Sequence, residues 1–558
     1  MLQPVEKFVK KSYAGVYGEC RSALSTIRTK GPGQLTFWLL ALVIGVAAGA
    51  AALGFRVAIS EIQGLLYGAD DHTLATTLGS LDWKWVVGIP ILGGLAVGLI
   101  LWAFTPDGQA RAVSDVIDGA AMHEGRVSKR IGLASAAAAL ITLSTGGSSG
   151  REGPVVHLAA VISSWVSNRI HADGITARDL MGCAVAAAVS ASFNAPLAGT
   201  IFALEVVLRH FAVHAFAPIV IASVAGTVVS RLQMGNVTEF ILPVNPIALH
   251  VELPAFLMLG IVSGLVAFVL IRSIFLAEDW GDAIQKYTRL PSFLRPAVAG
   301  AMLGGIALMF PHIIGVGYET TSSALTGQLL MHEAFVFAII KVVAIAITFA
   351  GRMGGGVFSP SLMLGALTGL TFGLVATSVF PGISGSETIY ALAGMAAVAA
   401  AVLGAPISTT LIVFEMTGDW QAGIAVMVSV SLSSALTSRL VDRSFFLTQL
   451  ERRGVHLAAG PQEYLLSTIS VRNIMHLVGS GEDAPQSQCQ NLIDQGAYVD
   501  ISETLETAMA KLEASPVQLL PVVKESESGP ELIGTLYLVD ALRSYNRALA
   551  ATAQEEHS

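Results

Sequence analysis

Two charged residues, Arg151 and Glu152, sit inside GSSGREGP (147–154), a segment otherwise made of small and apolar residues. Apolar sequence flanks it, LASAAAALITLSTGG before and VVHLAAVISSWV after. A second glycine-rich segment, GGGVFSPSL (354–362), leads into another apolar run, with Pro360 placed as Pro154 is in the first. Glycine permits close backbone approach, and proline is at home in the first turn of a helix. Both segments therefore read as helix starts. A helix N-terminus exposes unpaired N–H groups and about half a positive charge, which favours an anion. Two such starts converging would hold a small anion without a full cationic side chain, favourably enough for entry and weakly enough for release. Gly150, Arg151, Gly153 and Gly356 are the anion-binding candidates in these two turns.

Glu152 fits that chemistry as a gate. An ionised carboxylate at an anion site competes for the same N–H groups; protonated or swung aside, it frees them. Placing an ionisable residue at membrane depth costs at least ~2.5–3.5 kcal/mol, which marks it as a functional candidate. The plainer alternative is an Arg151–Glu152 pair that caps its own helix, and the matching GGGVFSP turn weighs against it. His157, one turn further on, reads more readily as a packed histidine than as a proton relay.

The elements that must position these groups are read from composition. The 558 residues are 53% hydrophobic and 13% charged, with a mean hydropathy of +0.66. Soluble domains carry about a quarter charged residues. Apolar runs recur at 37–52, 85–104, 131–143, 256–271, 335–350 and 391–403. Several approach the ~20 residues that span a bilayer. The 56 Gly and 21 Pro break others, and irregular backbone at that depth must be buried in protein or line a cavity. The expected fold is an all-α polytopic membrane protein with broken and re-entrant helices. Cys20, Cys183 and Cys489 are too scattered for a disulfide framework or metal cluster, and the net charge of −8 contains no basic tract for nucleic acid. The chain has no Walker loop, G-x-S-x-G, H-E-x-x-H or Cys/His cluster. An enzyme is not expected, and neither a metal nor another cofactor.

The chain also nearly repeats itself. MGCAVAAAVSASFNAPLAGTIFALEVV (181–207) lies over ALAGMAAVAAAVLGAPISTTLIVFEMT (391–417), pairing Pro196 with Pro406 and Glu205 with Glu415 at an offset of 210. The two G-x-x-x-P turns pair Gly150 with Gly356 at an offset of 206. Two inverted-topology halves meeting at mid-membrane is how many transporters build a substrate site.

Residues 1–33 read as a basic, cytoplasmic N-terminal segment without a signal peptide. The membrane domain spans 34–450, followed by a linker at 451–465, a small cytoplasmic α+β domain at 466–550 and a tail at 551–558. In the α+β domain AYVDIS, PVQLLPVV and ELIGTLYL read as strands, and SETLETAMAKLEA and LVDALRSYNRALA as amphipathic helices. SGEDAPQSQCQ and KESESGPEL read as polar loops.

Over roughly 35–450 the sequence resembles the CLC family of chloride channels and proton–chloride exchangers. GREGP (150–154) is similar to the motif that carries the family's external gate, which implies Glu152 in that role. GVFSP (356–360) is similar to its G-x-F-x-P motif, implying backbone N–H groups of Val357 and Phe358 as donors to the central anion. NAPLAGTIFALEVV and GAPISTTLIVFEMTGD resemble the paired helices of the family's subunit interface. The resemblance implies a lipid-embedded homodimer with one chloride path per subunit, of bacterial type, in the inner (plasma) membrane with both termini cytoplasmic.

Three positions depart from the pattern. ARAVSDVI (110–117) places Arg111 where the central serine belongs; it either attracts anions at the inner mouth or snorkels or pairs with Asp115. Phe446 replaces the central tyrosine and has no hydroxyl to donate. Val206 replaces the proton-transfer glutamate of many exchangers. Val206, which cannot carry a proton, and Phe446, which loosens the inner gate, favour channel-like anion conduction over proton–chloride antiport, with a membrane-anchored ligand sensor as a more distant alternative. The tail, STISVRNIM through ELIGTLYLVDAL, resembles a single CBS module. Such modules act in pairs and often bind adenine nucleotides; one per chain implies pairing across a dimer and leaves a nucleotide site doubtful.

Overall fold

The computed structural model describes residues 33–557 apart from 210, 212, 236–239, 241–248, 382–385, 418–422, 456–465, 467–468, 480–483, 516 and 527–528. Cys20, nearly all of the basic N-terminal segment and most of the linker lie outside the described residues. The chain divides into a helical unit ending at Gln449 and a C-terminal unit beginning at Leu450.

The first half of the helical unit runs α1 Gln34–Tyr67, α2 Leu74–Leu78, α3 Trp83–Phe104, α4 Val113–Met122, α5 Lys129–Ser144, α6 Glu152–Ile170, α7 Gly174–Phe193, α8 Pro196–Phe202 and α9 Val213–Met234. The second runs α10 Leu249–Thr288, α11 Arg295–Ala307, α12 Tyr318–Leu325, α13 Met331–Ala350, α14 Phe358–Val379, α15 Glu387–Leu403, α16 Pro406–Thr417 and α17 Gly423–Leu440, and α18 Phe445–Glu451 closes the series. Among the described residues eight helices are long and apolar enough to cross a membrane, and the protein is an integral membrane protein. The short α4, α8, α12 and α16 are the broken helices that the glycine and proline content requires. α8 runs on as a π-turn, Ala203–Leu208, a local widening often found at functional sites.

Helix ends follow local chemistry. Asp82 and Asp173 accept the free N–H groups of Lys84 and Thr176 at the starts of α3 and α7. α7 and α15 both stop in a left-handed residue, Asn194 (φ 55°) and Gly404 (φ 69°). At Gly404 a side chain is excluded twice, by the positive φ and by the Ser444 side chain, 2.5 Å from where a Cβ would sit. Each stop is followed by Ala-Pro and then by a short helix, so the repeat in sequence is a repeat of helix–elbow–helix units.

The two elbows are held by each other's halves. The Glu205 carboxylate accepts the backbone N–H groups of Ile407 (3.0 Å) and Ser408 (2.7 Å) at the start of α16. The Glu415 carboxylate accepts those of Leu197 (3.2 Å) and Ala198 (2.7 Å) at the start of α8. Every residue in one set is 210 positions from its counterpart in the other, and this exchange of caps is what two inverted halves related by a pseudo-two-fold axis produce.

The C-terminal unit has a four-stranded sheet in the order β1-β4-β3-β2, from β1 His476–Leu477, β2 Val499–Asp500, β3 Leu519–Ser526 and β4 Gly529–Tyr537. Its helices are α19 Gln486–Asp494, α20 Leu505–Ala514 and α21 Leu538–His557. Val471, Val499, Leu505, Leu512, Leu520, Val522 and Leu536 form its core. The expected strands and helices are present, with four differences, the first being β1, which extends the sheet beyond the three expected strands. SGEDAPQSQCQ, read as a loop, holds the start of α19, whose Cys489 and Leu492 pack into a second small cluster with Leu519. KESESGPEL, also read as a loop, is the end of a β3–β4 hairpin. The tail expected at 551 is the continuation of α21 to His557, because AATAQEE has nothing to end a helix.

Removing one bidentate cap leaves two helix-start amides, one exposed and one partly buried, with a weaker acceptor, at a cost of about 0.5–2 kcal/mol. Glu205→Gln and Glu415→Gln should each lower the thermal unfolding midpoint of the purified protein by similar amounts, followed by fluorescence in detergent. A neutral effect at both would mean that the crossed caps are not stabilising.

Candidate anion-binding site

The two glycine-rich turns meet directly. Gly150 N–H donates to the Gly356 carbonyl and Gly356 N–H to the Gly150 carbonyl, both at 2.7 Å, an isolated antiparallel bridge between residues equivalent in the repeat. A further bond ties the turns, from Ser149 Oγ to the Gly354 carbonyl (3.5 Å), and another ties the first turn to α13, from Ser148 N–H to Thr348 Oγ1 (3.1 Å). Gly355 takes φ 152°, and a Cβ there would run into the Ser149 side chain, so only glycine lets the second turn pass this close. Gly153 faces the same junction, where a Cβ would lie 3.2 Å from Gly356 Cα.

α6 and α14 both begin at this junction. Val357 is the N-cap residue of α14 and Phe358 its first residue, so their N–H groups have no acceptor within the helix. A cavity extends from the junction, lined by Glu152, Gly153, Gly356, Val357 and Phe358 and, further along, by Phe193, Phe202, Leu403, Phe446 and Gln449. Phe193 and Leu403 are the last residues before the two elbows. The crossed caps therefore fix the backbone from which both reach the cavity. Phe358 and Phe193 rings pack at 4.9 Å between centroids.

Glu152 is 5% exposed. Its carboxylate reaches the other half: Oε1 accepts the hydroxyl of Ser359, in the first turn of α14, and Oε2 has no hydrogen-bond partner among the described residues. The carboxylate thus reaches across the junction to the helix start that would serve an anion.

The sequence-derived candidates divide in space. Glu152, Gly153, Gly356, Val357, Phe358 and Phe446 line one cavity, with Gly150 in the bridge that forms it. Arg151 is buried but turns elsewhere: its Nη2 donates to the Tyr318 hydroxyl (2.9 Å) and to the Ser192 carbonyl (3.5 Å), and its guanidinium carbon lies 4.8 Å from the Tyr318 ring centroid. It anchors the turn to α12 and the end of α7 and is not among the cavity-lining residues. Tyr318 gave no signal in the sequence, because only the fold brings a residue 167 positions away beside Arg151.

Arg111 also lies outside the lining. Its guanidinium is 3.0 Å from Asp107 Oδ2 and 3.4 Å from Asp115 Oδ1, and its backbone N–H donates to Ser135 Oγ (2.8 Å). Of the two readings of Arg111, this geometry is the i+4 pairing with Asp115; the lining begins one residue later, at Ala112. Val206 sits in the π-turn at 7% exposure, also outside the lining, and its neighbour Glu205 is committed to α16.

A family model described as voltage gated chloride channel matches residues 93–438. A Ralstonia nicotianae protein provisionally named a ClcB-like chloride channel protein is 30% identical over 394 residues, 70% of this chain and 91% of that one. The crystal structure of a slow cyanobacterial Cl−/H+ antiporter superposes with a TM-score of 0.65 at 22% identity, covering 75% of this chain and 97% of its own. That of a eukaryotic CLC transporter gives 0.66 at 18% identity over 93% of this chain and 98% of its own.

Because the Arg111 guanidinium is held by two carboxylates and lies outside the cavity lining, Arg111→Gln should leave chloride flux from proteoliposomes within about twofold of wild type. A tenfold loss would return Arg111 to the anion path.

Proposed function

The chain belongs to the voltage-gated chloride channel (CLC) family, and from that premise we propose that it carries chloride by channel-like conduction, without proton coupling, gated by Glu152. The observation that carries this reading is the crossing of the junction by the Glu152 carboxylate to Ser359, at the α14 start that would serve the anion. Ionised, the side chain competes with chloride for the two helix starts. Protonated, it leaves them to the anion. Flux should therefore rise as pH falls and the carboxylate gains its proton.

The absence of coupling rests on the inner end of a proton route beside the cavity. A proton crossing beside the anion needs a titratable group there, and Val206 supplies none. Glu205 is the adjacent carboxylate, but both its oxygens accept backbone N–H groups of α16. Phe446, 5% exposed, has no hydroxyl with which to close on the anion. The second reading, proton–chloride antiport, is favoured by the activity of the cyanobacterial neighbour.

The proposal includes a homodimer with one path per subunit, in a bacterial inner membrane with both termini cytoplasmic. Leu197 on α8 and Ile407 on α16, equivalent in the repeat, are 55% and 53% exposed, which leaves an apolar side for a second copy. The C-terminal unit would act as a single CBS-like module paired with its copy; no cofactor is assigned to it.

Glu152→Gln mimics the protonated gate. Chloride efflux should persist in this variant and lose its pH dependence between mildly acidic and neutral conditions; an unaltered pH profile would make Glu152 a structural cap. Chloride and proton movement recorded together in proteoliposomes decides coupling. The reversal potential should follow the chloride gradient alone, and a shift with the pH gradient at a fixed chloride-to-proton ratio would establish antiport instead.

A further inference from the structure

Sixteen of the described residues line the cavity, and two of these, Glu152 and Gln449, have polar side chains. Glu152 offers oxygens that repel or displace an anion. Apart from a protonated Glu152, Gln449 is therefore the one lining residue among those described whose side chain can donate a hydrogen bond to it. Phe446 and Gln449 are three apart on α18 and so share a helix face, and both belong to the lining.

The amide is not loose. Ser114, fully buried near the start of α4, donates its hydroxyl to Gln449 Oε1 at 2.7 Å. That bond leaves both N–H donors of Nε2 without a protein acceptor among the described residues. With the amide turned over, Nε2 would donate one N–H to Ser114 Oγ and still keep the other. In either orientation at least one N–H remains for the cavity, whose other walls are apolar side chains and helix-start backbone. Gln449 is partly exposed, and an anion held by Val357 and Phe358 would accept that N–H.

We propose that Gln449 is an anion ligand of this cavity, its amide N–H supplying the side-chain donor that Phe446 lacks, and that Ser114 is the positioning residue that aims it. The inference rests on the cavity being the chloride site. Ser114 belongs to the degenerate ARAVSDV segment, so a serine of that segment still serves the site, one step removed, by orienting the residue that touches the ion.

Chloride binding to the full-length protein, measured by titration calorimetry in detergent on a Glu152→Gln background, tests this without depending on flux. Saturable chloride binding is expected in Glu152→Gln alone. Adding Gln449→Leu should weaken it about tenfold, the low end of what a hydrogen bond to a charged group contributes. Adding Ser114→Ala should weaken it less and in the same direction. Adding Phe446→Tyr to the Gln449→Leu protein should recover part of the loss by restoring a hydroxyl donor on the same helix face. Should Gln449→Leu not fold, Gln449→Asn withdraws the amide by one methylene and should give a similar loss. Unchanged affinity in the Gln449 variants overturns the proposal while leaving the cavity as the chloride site. No saturable binding in Glu152→Gln itself overturns the reading of the cavity and the proposal with it.

Discussion

An anion carried through an apolar interior must be stabilised there without a full fixed charge, which would hold it too tightly. The paired bonds between Gly150 and Gly356 answer that constraint. They bring two helix starts from different halves into contact, so that two partial charges act at one place. Much of the surrounding structure serves that contact. Gly355 lets the second turn pass Ser149, Thr348 holds Ser148, and Arg151 is drawn to Tyr318, which keeps a full cation out of the cavity lining. Glu152 is the exception, a full charge within reach of the site. In the proposed gate its carboxylate excludes anions when ionised and ceases to do so when protonated.

The relation between the halves is cross-bracing. In each elbow a helix ends in a left-handed residue, an Ala-Pro step follows, and the next helix start is satisfied by a glutamate from the opposite half. The elbows place Phe193 and Leu403 at the cavity, so its walls are set by contacts between the halves. The same arrangement explains how Glu205 can stand beside the expected proton-transfer position without taking up that role, since its oxygens already accept two backbone amides.

Much of this was legible in sequence because it is local. The G-x-x-x-P turns, the Ala-Pro steps and their offsets of 206 and 210 mark the two halves, and the turns mark the helix starts that form the site. What could not be read depends on contacts distant in sequence. Tyr318 beside Arg151, Ser359 on Glu152 and Ser114 on Gln449 join residues whose spacing is set by the fold alone. Arg111 illustrates the opposite difficulty. A charge in a degenerate motif fits either a role at the ion or an ordinary i+4 pair, and only its observed partners, Asp107 and Asp115, separate the two. In the C-terminal unit α19 escaped notice because QSQCQNLID is polar on most faces and presents only Cys489, Leu492 and Ile493 to the interior.

The crossed caps also impose an order on biogenesis. The first amides of α8 belong to Leu197 and Ala198, and their acceptor is on Glu415, more than two hundred residues later in the chain. At synthesis rates of about 5–20 residues per second, the first half waits roughly 10–40 s for the carboxylate that completes its elbow. Throughout that interval the nascent first half holds an unfinished helix start within the membrane, and neither half can mature as an independent unit. Cutting the chain between the repeats would therefore remove a cap from both pieces, which makes this protein a poor candidate for division into separately folding halves despite its internal duplication.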